Sequence, residues 1–311
     1  MKNRKIILIL YLLLFVTGLL FFFAGPGYYA SRSYKTVWNL GHVFYYTILS
    51  IVLLQNWNFL KNRNYPVRLF WLVVITLSTG LLIEFIQIGF DRLTELGDLW
   101  RDILGSLIGW VFFDQRKERI SPRFLFILRF ILMSAFMIEL IPPFRSIIDE
   151  IIAKKQFPVL SSFETPFEIG RWVSESQPSR TTEVVYQGKF SCKMSLSTRE
   201  YSGFSLKYFP GDWEGHDNLY FALFNPLTLP LPITCRIHDW QHIRNGEPYQ
   251  DRFNKRLILD PGWNQIRISL EEVRNAPFDR RMQMTKILNL GIFATRLSDP
   301  LNLYIDEVKL K

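Results

Sequence analysis

Two hydropathy patterns divide the chain. Up to about residue 143 apolar residues come in long unbroken runs. Beyond residue 158 they alternate with polar ones in short runs broken by Gly, Pro, Asn and Asp. A bilayer-spanning helix needs about 20 apolar residues, and the first pattern supplies five candidate spans, at 6–24, 39–57, 69–90, 98–113 and 124–141. The fourth is short, and the fifth ends at Pro142-Pro143. The first follows a basic MKNRK start, so a signal peptide competes with a retained helix. The apolar stretch is long for a signal peptide and no A-x-A cleavage site follows it, which favours the helix. In residues 144–157, Ile147, Ile148, Ile151 and Ile152 recur at helical spacing between charged residues. That pattern predicts an amphipathic juxtamembrane linker lying on the bilayer or on the next domain.

The second pattern predicts strands at 159–164, 189–197, 203–209, 218–225, 231–239, 252–259, 264–270, 289–295 and 301–310. Period-two burial is plain in Phe190, Cys192, Met194 and Leu196. It recurs in Leu303, Ile305, Val308 and Leu310, with a slip at Asp306-Glu307. Short strands at this spacing imply a sandwich or jelly roll. The fold class is therefore a multidomain membrane protein: a transmembrane bundle of five α-helices (1–143), a linker (144–157) and an all-β jelly-roll sandwich (158–311).

The formal charge of +9 is unevenly placed: residues 1–143 hold 15 Lys and Arg against 8 Asp and Glu, the remainder 22 against 20. The excess sits in loops on one side of the predicted bundle, at Lys2, Arg4, Lys5, Lys61, Arg63, Arg68, Arg116, Lys117, Arg119 and Arg123; the other side carries Arg32, Lys35 and Arg92. That is a positive-inside signature and not a nucleic-acid footprint. It predicts a cytoplasmic N-terminus, and five spans then leave the C-terminal domain outside the cytoplasm. The expected location is a bacterial cytoplasmic (inner) membrane.

Polar groups interrupt the apolar pattern in one stretch. Gly80, Glu84, Gln87 and Asp91 fall on one face of the third span, and Asp98, Asp102, Gly105 and Gly109 repeat the spacing on the fourth. Gly105 and Gly109 form a GxxxG, which lets membrane helices approach closely. The short loop, with Arg92, makes the two spans antiparallel neighbours, and His42 opens the second span on the same side. Charges at membrane depth are costly and mark functional sites or interhelix locks. Both readings stand: a polar binding site of His42, Glu84, Gln87, Arg92, Asp98 and Asp102, or side chains that pair to hold the bundle. Arg101 and Arg129 fit snorkelling or pairing; Glu139 is compatible with either role.

These residues carry a resemblance. NLGH ending at His42, E-x-x-Q at Glu84 and Gln87, Arg92, and GD-x-x-x-D-x-x-G-x-x-x-G from Gly97 to Gly109 resemble the VanZ-like family of bacterial membrane proteins over residues 5–143. The family usually has Asn where this chain has Asp102, and often Lys where it has Asn39. The resemblance implies an envelope role on the outer face, in the manner of glycopeptide resistance, and leaves the activity open.

The second half is similar to galactose-binding-like, carbohydrate-binding-module-like jelly rolls. SSFE at 161–164, PGWNQIRISLEEV at 261–273 and LYIDEVKL at 303–310 carry the likeness. It implies glycan binding, with Trp213 and Trp240 as stacking candidates among the tryptophans. It also implies a possible structural Ca²⁺ at Glu164 and Asp306, which are hard oxygen donors but far from a full shell; no cofactor is required. His216, His238 and His242 show no metal-ligand spacing, and there is no G-x-S-x-G. Cys192 and Cys235 fit either a disulfide outside the cytoplasm or two buried thiols. The expected partners are membrane lipids and an envelope glycan or lipid-linked glycan precursor. The alternatives are a membrane enzyme using His42, Glu84, Asp98 and Asp102 on a lipid-linked substrate, and a non-catalytic scaffold; the pattern leans away from an enzyme.

Overall fold

A computed structural model describes residues 2–27, 29–88, 96–114 and 120–311. The chain forms two compact units, 1–144 and 145–311.

Unit 1 is helical: α1 (Lys2–Phe23), α2 (Arg32–Asn56), the single turn α3 (Asn58–Lys61), α4 (Tyr65–Ile88), α5 (Leu96–Phe113) and α6 (Pro122–Glu139). Each of the five long apolar runs is a helix. By length and composition, however, three helices among the described residues suffice to cross a membrane: Arg32–Asn56, Tyr65–Ile83 and Pro122–Gln156. The expectation of five is corrected to that extent. In α5 the charges of Asp98, Arg101 and Asp102 interrupt the apolar run, and in α1 the shorter Ile7–Phe21 is what qualifies. Helix α2 starts earlier than its apolar run because the Ser31 hydroxyl caps it, accepting the Tyr34 N–H at 3.3 Å.

Helix α5 packs closely on α2 because two glycines leave no side chain between them. A Cβ on Gly105 would strike the Val43 backbone, and one on Gly109 would lie 2.6 Å from Ser50 Cβ. Thr47 Oγ1 donates to Gly105 O across the contact at 3.0 Å. At one end Arg68 donates to Asp114 Oδ1 at 2.5 Å and to Leu54 O at 2.7 Å, so a buried charge is paired and hydrogen-bonded.

Helix α7 (Ile141–Gln156) leads into unit 2, and its first turn accommodates Pro142 and Pro143. Its inner face carries Ser146, Asp149 and Ala153, all buried. Two five-strand paths follow. One is β3 (Ser179–Thr181), β4 (Ser191–Leu196), β11 (Leu301–Leu310), β6 (Asn218–Asn225) and β9 (Gly262–Ser269), with β1 (Val159–Ser161) also paired to β11. The other is β2 (Trp172–Ser174), β5 (Tyr201–Leu206), β10 (Ile287–Thr295), β7 (Leu231–Asp239) and β8 (Phe253–Leu259). Alternate residues of both, among them Met194, Phe204, Leu223, Ile237 and Ile292, fill one core. This is the expected sandwich. The slip at Asp306-Glu307 is a bulge: Glu307 has φ 51° and the β11–β6 register shifts between Asp306 and Lys309.

Cys192 and Cys235 are free thiols on opposite sheets, so the disulfide alternative is set aside. Burial pushes both to about 12, which keeps them protonated and unreactive.

Candidate functional sites

The polar residues of unit 1 meet where α2, α5 and α6 adjoin. His42 Nδ1 lies 2.8 Å from Asp102 Oδ1, and its Nε2 lies 3.7 Å from Asp98 Oδ2. Arg101 donates to Asp98 at 2.7 Å and to Glu139 at 2.9 Å; Trp100 Nε1 donates to Glu139 at 3.0 Å. Gly80 on α4 admits this group, since a Cβ there would sit 2.7 Å from Asp102 Oδ2. Phe21 covers the imidazole, with ring centroids 4.6 Å apart. His42, Asp98 and Asp102 thus come together as their spacing implies. Arg101 and Glu139, whose roles the sequence leaves open, complete the chain of charges. Glu84 and Gln87 belong to α4; their side chains, and Arg92 altogether, lie outside the described residues. Chemically the group is a buried imidazole between two carboxylates, with a guanidinium linking one of them to a third. Each described charge has an opposite neighbour, which satisfies the requirement for a stable interhelix lock.

In unit 2, Trp213 is fully buried, packed 5.6 Å from Phe209, and offers no face to a sugar. A turn in GDWEGHD tucks it inward, where the Trp213 backbone N–H donates to Met284 O at 2.8 Å. Trp240 is 39% exposed at the start of the short helix α8 (Trp240–Arg244), but Arg244 and Lys286 lie over its ring at 4.6 and 5.2 Å. Glu164 Oε1 accepts the N–H groups of Lys189 and Phe190 at 2.8 and 3.1 Å. Asp306 accepts those of Tyr186, Gln187 and Glu307 at 3.0, 3.1 and 2.8 Å. These carboxylates tie down the loop before β4. Among the described residues no three His, Cys, Asp or Glu side chains converge as metal ligands.

The open feature lies elsewhere, on the outer face of the β2-β5-β10-β7-β8 sheet. A groove of about 660 Å³ runs across it, walled by Tyr201, Phe293, Tyr249, Arg236, Arg252 and Asn254. Strand alternation explains the set: Phe204 and Leu206 point inward from β5, Ile292 and Ala294 from β10, Cys235 and Ile237 from β7. The intervening positions then face out. Gly203 and Gly291 form the floor. A Cβ on Gly203 would strike Phe293, and one on Gly291 would crowd Ser205 Oγ and Asn289 Nδ2 at 3.2 Å. Tyr201 and Phe293 flank each other at 6.2 Å; Arg236 lies over Phe293 at 5.7 Å and Arg252 over Tyr249 at 5.1 Å. Aromatic rings with a few convergent polar groups make a small-molecule or oligomer site. Its signal in the sequence is the polar and aromatic half of each strand's alternation, which a search for tryptophans passes over.

Beside the groove, burial and the neighbouring His242, Arg236 and Arg252 push His238 down to about 3, so it is neutral. Asp239 is held below its ordinary range, against its burial, by Arg280 and the N–H groups of Gln283 and His242. Glu168, also buried, is held low by the N–H groups of Phe163, Thr165 and Ser162 and by Arg171.

No family model matches the chain, and no curated protein matches it. Among solved structures, unit 2 resembles carbohydrate-binding-module sandwiches. A family 11 carbohydrate-binding module from Clostridium thermocellum, in complex with a β-1,3-1,4-mixed-linked tetrasaccharide, is 17% identical over 49% of this chain and 93% of its own, with a TM-score of 0.36. A non-crystalline cellulose specific module is 12% identical over 50% of this chain and 93% of its own, TM-score 0.36. An exo-β-agarase is 12% identical over 49% of this chain and 24% of its own, TM-score 0.38.

Proposed function

We propose that the protein is a multi-pass cytoplasmic-membrane protein of VanZ-like type whose β-sandwich, outside the cytoplasm, binds an envelope glycan or a lipid-linked glycan precursor. The observation that carries the glycan reading is the groove on the β2-β5-β10-β7-β8 sheet, with its aromatic walls and glycine floor. Support for membrane crossing comes from the three helices long and apolar enough for it and from exposed apolar side chains such as Phe126, Phe130 and Ile138 on α6. Sidedness follows from the basic loops. Full-length protein in detergent, applied to an array of bacterial envelope glycans, is expected to bind at least one. Tyr201→Ala with Tyr249→Ala is expected to abolish that binding; retained binding in the double variant overturns the groove assignment.

A second reading rests on the His42–Asp102 pair, which has the form of an imidazole oriented for proton transfer. If the membrane unit is an enzyme, Glu84→Gln and Asp98→Asn abolish turnover of a lipid-linked substrate while leaving thermal stability intact. Loss of stability in proportion to turnover assigns the cluster to holding helices together.

A further inference from the structure

The groove carries a charge that stacking on a neutral sugar does not call for. Arg236 enters it from β7 and Arg252 from the residue before β8, and no carboxylate lines it. Two other arginines of this unit are committed. Arg171 is spent on Asp149, Leu160 O and Gln156. Arg280 clamps Asp239 and Asp251 at 2.6 and 2.5 Å. The acid next to Arg252 in sequence, Asp251, is therefore taken by another arginine. Arg252 itself makes no ion pair among the described residues, and its Nε is buried without an acceptor.

The same face continues past the arginines. His238 on β7 and Asn289 on β10 stand in register there, and the His242 ring packs 4.9 Å from that of His238. Asn289 and His242 are 2% and 1% exposed. Asn289 Nδ2 lacks a hydrogen-bond partner, and Asp251 Oδ2 stands 3.6 Å from His242 Nδ1. Buried donors are almost always paired in folded proteins, so the unpaired Arg252 guanidinium at the groove wall calls for an acceptor from outside. A guanidinium and an amide N–H are donors only at these atoms.

We infer that the groove takes an anionic glycan, whose acidic group sits against Arg252 while its rings stack on Tyr201 and Tyr249; this rests on the groove being the glycan site. Arginine matches carboxylate and ester-oxyanion geometry through paired N–H groups, and charge-assisted bonds are stronger than neutral ones. Uronate carboxylates and sulfate esters share this chemistry.

The test uses the full chain in detergent micelles and measures affinity for polygalacturonate, alginate and hyaluronate fragments, each beside its carboxyl-reduced counterpart, with dextran sulfate as the ester. The expected result is at least about tenfold tighter binding of an acidic fragment than of its reduced form. Arg252→Gln removes that preference, and Arg252→Lys restores part of it. Arg267→Gln, the same charge change on β9 of the other sheet, leaves it unchanged. Preference for dextran sulfate alone, lost in Arg252→Gln, assigns the oxyanion to an ester. Equal loss in Arg252→Gln and Arg267→Gln overturns the inference, because general charge attraction then accounts for it. Binding of reduced forms as tightly as acidic ones, abolished by Tyr201→Ala, overturns the charge inference and keeps the groove. No binding of any polymer overturns both.

Discussion

Arg171 has no solvent exposure, and it is held by Asp149 at 2.9 Å and by the carbonyl of Leu160 at 2.7 Å. A buried ion pair adds little net stability, but breaking one side leaves an uncompensated charge. Arg171→Leu is expected to destabilise unit 2 by about 3–5 kcal/mol, and Arg171→Leu with Asp149→Leu by much less. Thermal unfolding of the two variants compares them directly; equal losses contradict the pairing. Trp213 and Trp240 divide in the same way. Trp213→Ala leaves a cavity in the core and costs about 3–5 kcal/mol, whereas Trp240→Ala, at a partly exposed site, stays within about 0.5 kcal/mol.

Titration adds a pH dependence. His238 sits near 3 when folded and at the ordinary 6.5 when unfolded, so its contribution is present above pH 6.5 and is lost as pH falls. Glu168 and Asp239, both held below their ordinary 4.5 and 3.8, add losses of the same sign at lower pH. Asp306, pushed by burial to about 6, works the other way between 3.8 and 6. The unfolding temperature of unit 2 is expected to decline from about pH 6.5 downward, and His238→Asn is expected to flatten the upper part of that decline. An unchanged slope in the variant contradicts the assignment.

At the level of elements, long apolar runs mark every long helix of unit 1, because a helix that is apolar nearly all round needs no periodicity to be seen. Strands β4, β5, β7 and β11 are equally legible, since each buries one face and alternates over most of its length. β2 and β3 escape a sequence reading: each is three residues with at most one buried position, so neither shows a buried face. The GxxxG on α5 announces a close helix contact, but not that α2 is the partner. Glycine spacing records how near a backbone comes and carries no information about which one. Gly105→Leu is expected to separate α2 from α5 and lower the melting temperature in detergent, whereas Leu107→Ala, at the nearby half-buried position, costs less. Equal effects contradict the tight α2–α5 contact.

For the whole molecule, the polar cluster of unit 1 and the sandwich of unit 2 differ in how far residues alone lead. His42, Asp98 and Asp102 are legible because a charge in an apolar run stands out. Arg101 and Glu139 stand out equally, yet their roles depend on which helices adjoin. In the sandwich, tryptophan is the wrong marker, since a large ring in a β protein usually serves the core; the groove is built instead from tyrosine, phenylalanine and arginine at outward positions. The sidedness proposal is open to a separate check. A reporter fused after Lys311 is expected to be active only outside the cytoplasm, and activity only inside overturns the proposed sidedness. The glycan groove itself is tested most directly by hydrogen–deuterium exchange of the full chain with and without a glycan that binds it. Slower exchange confined to 201–205, 234–236, 249–254 and 291–295 is the predicted result. Protection of the β6 and β9 face instead, or of unit 1 alone, would contradict it.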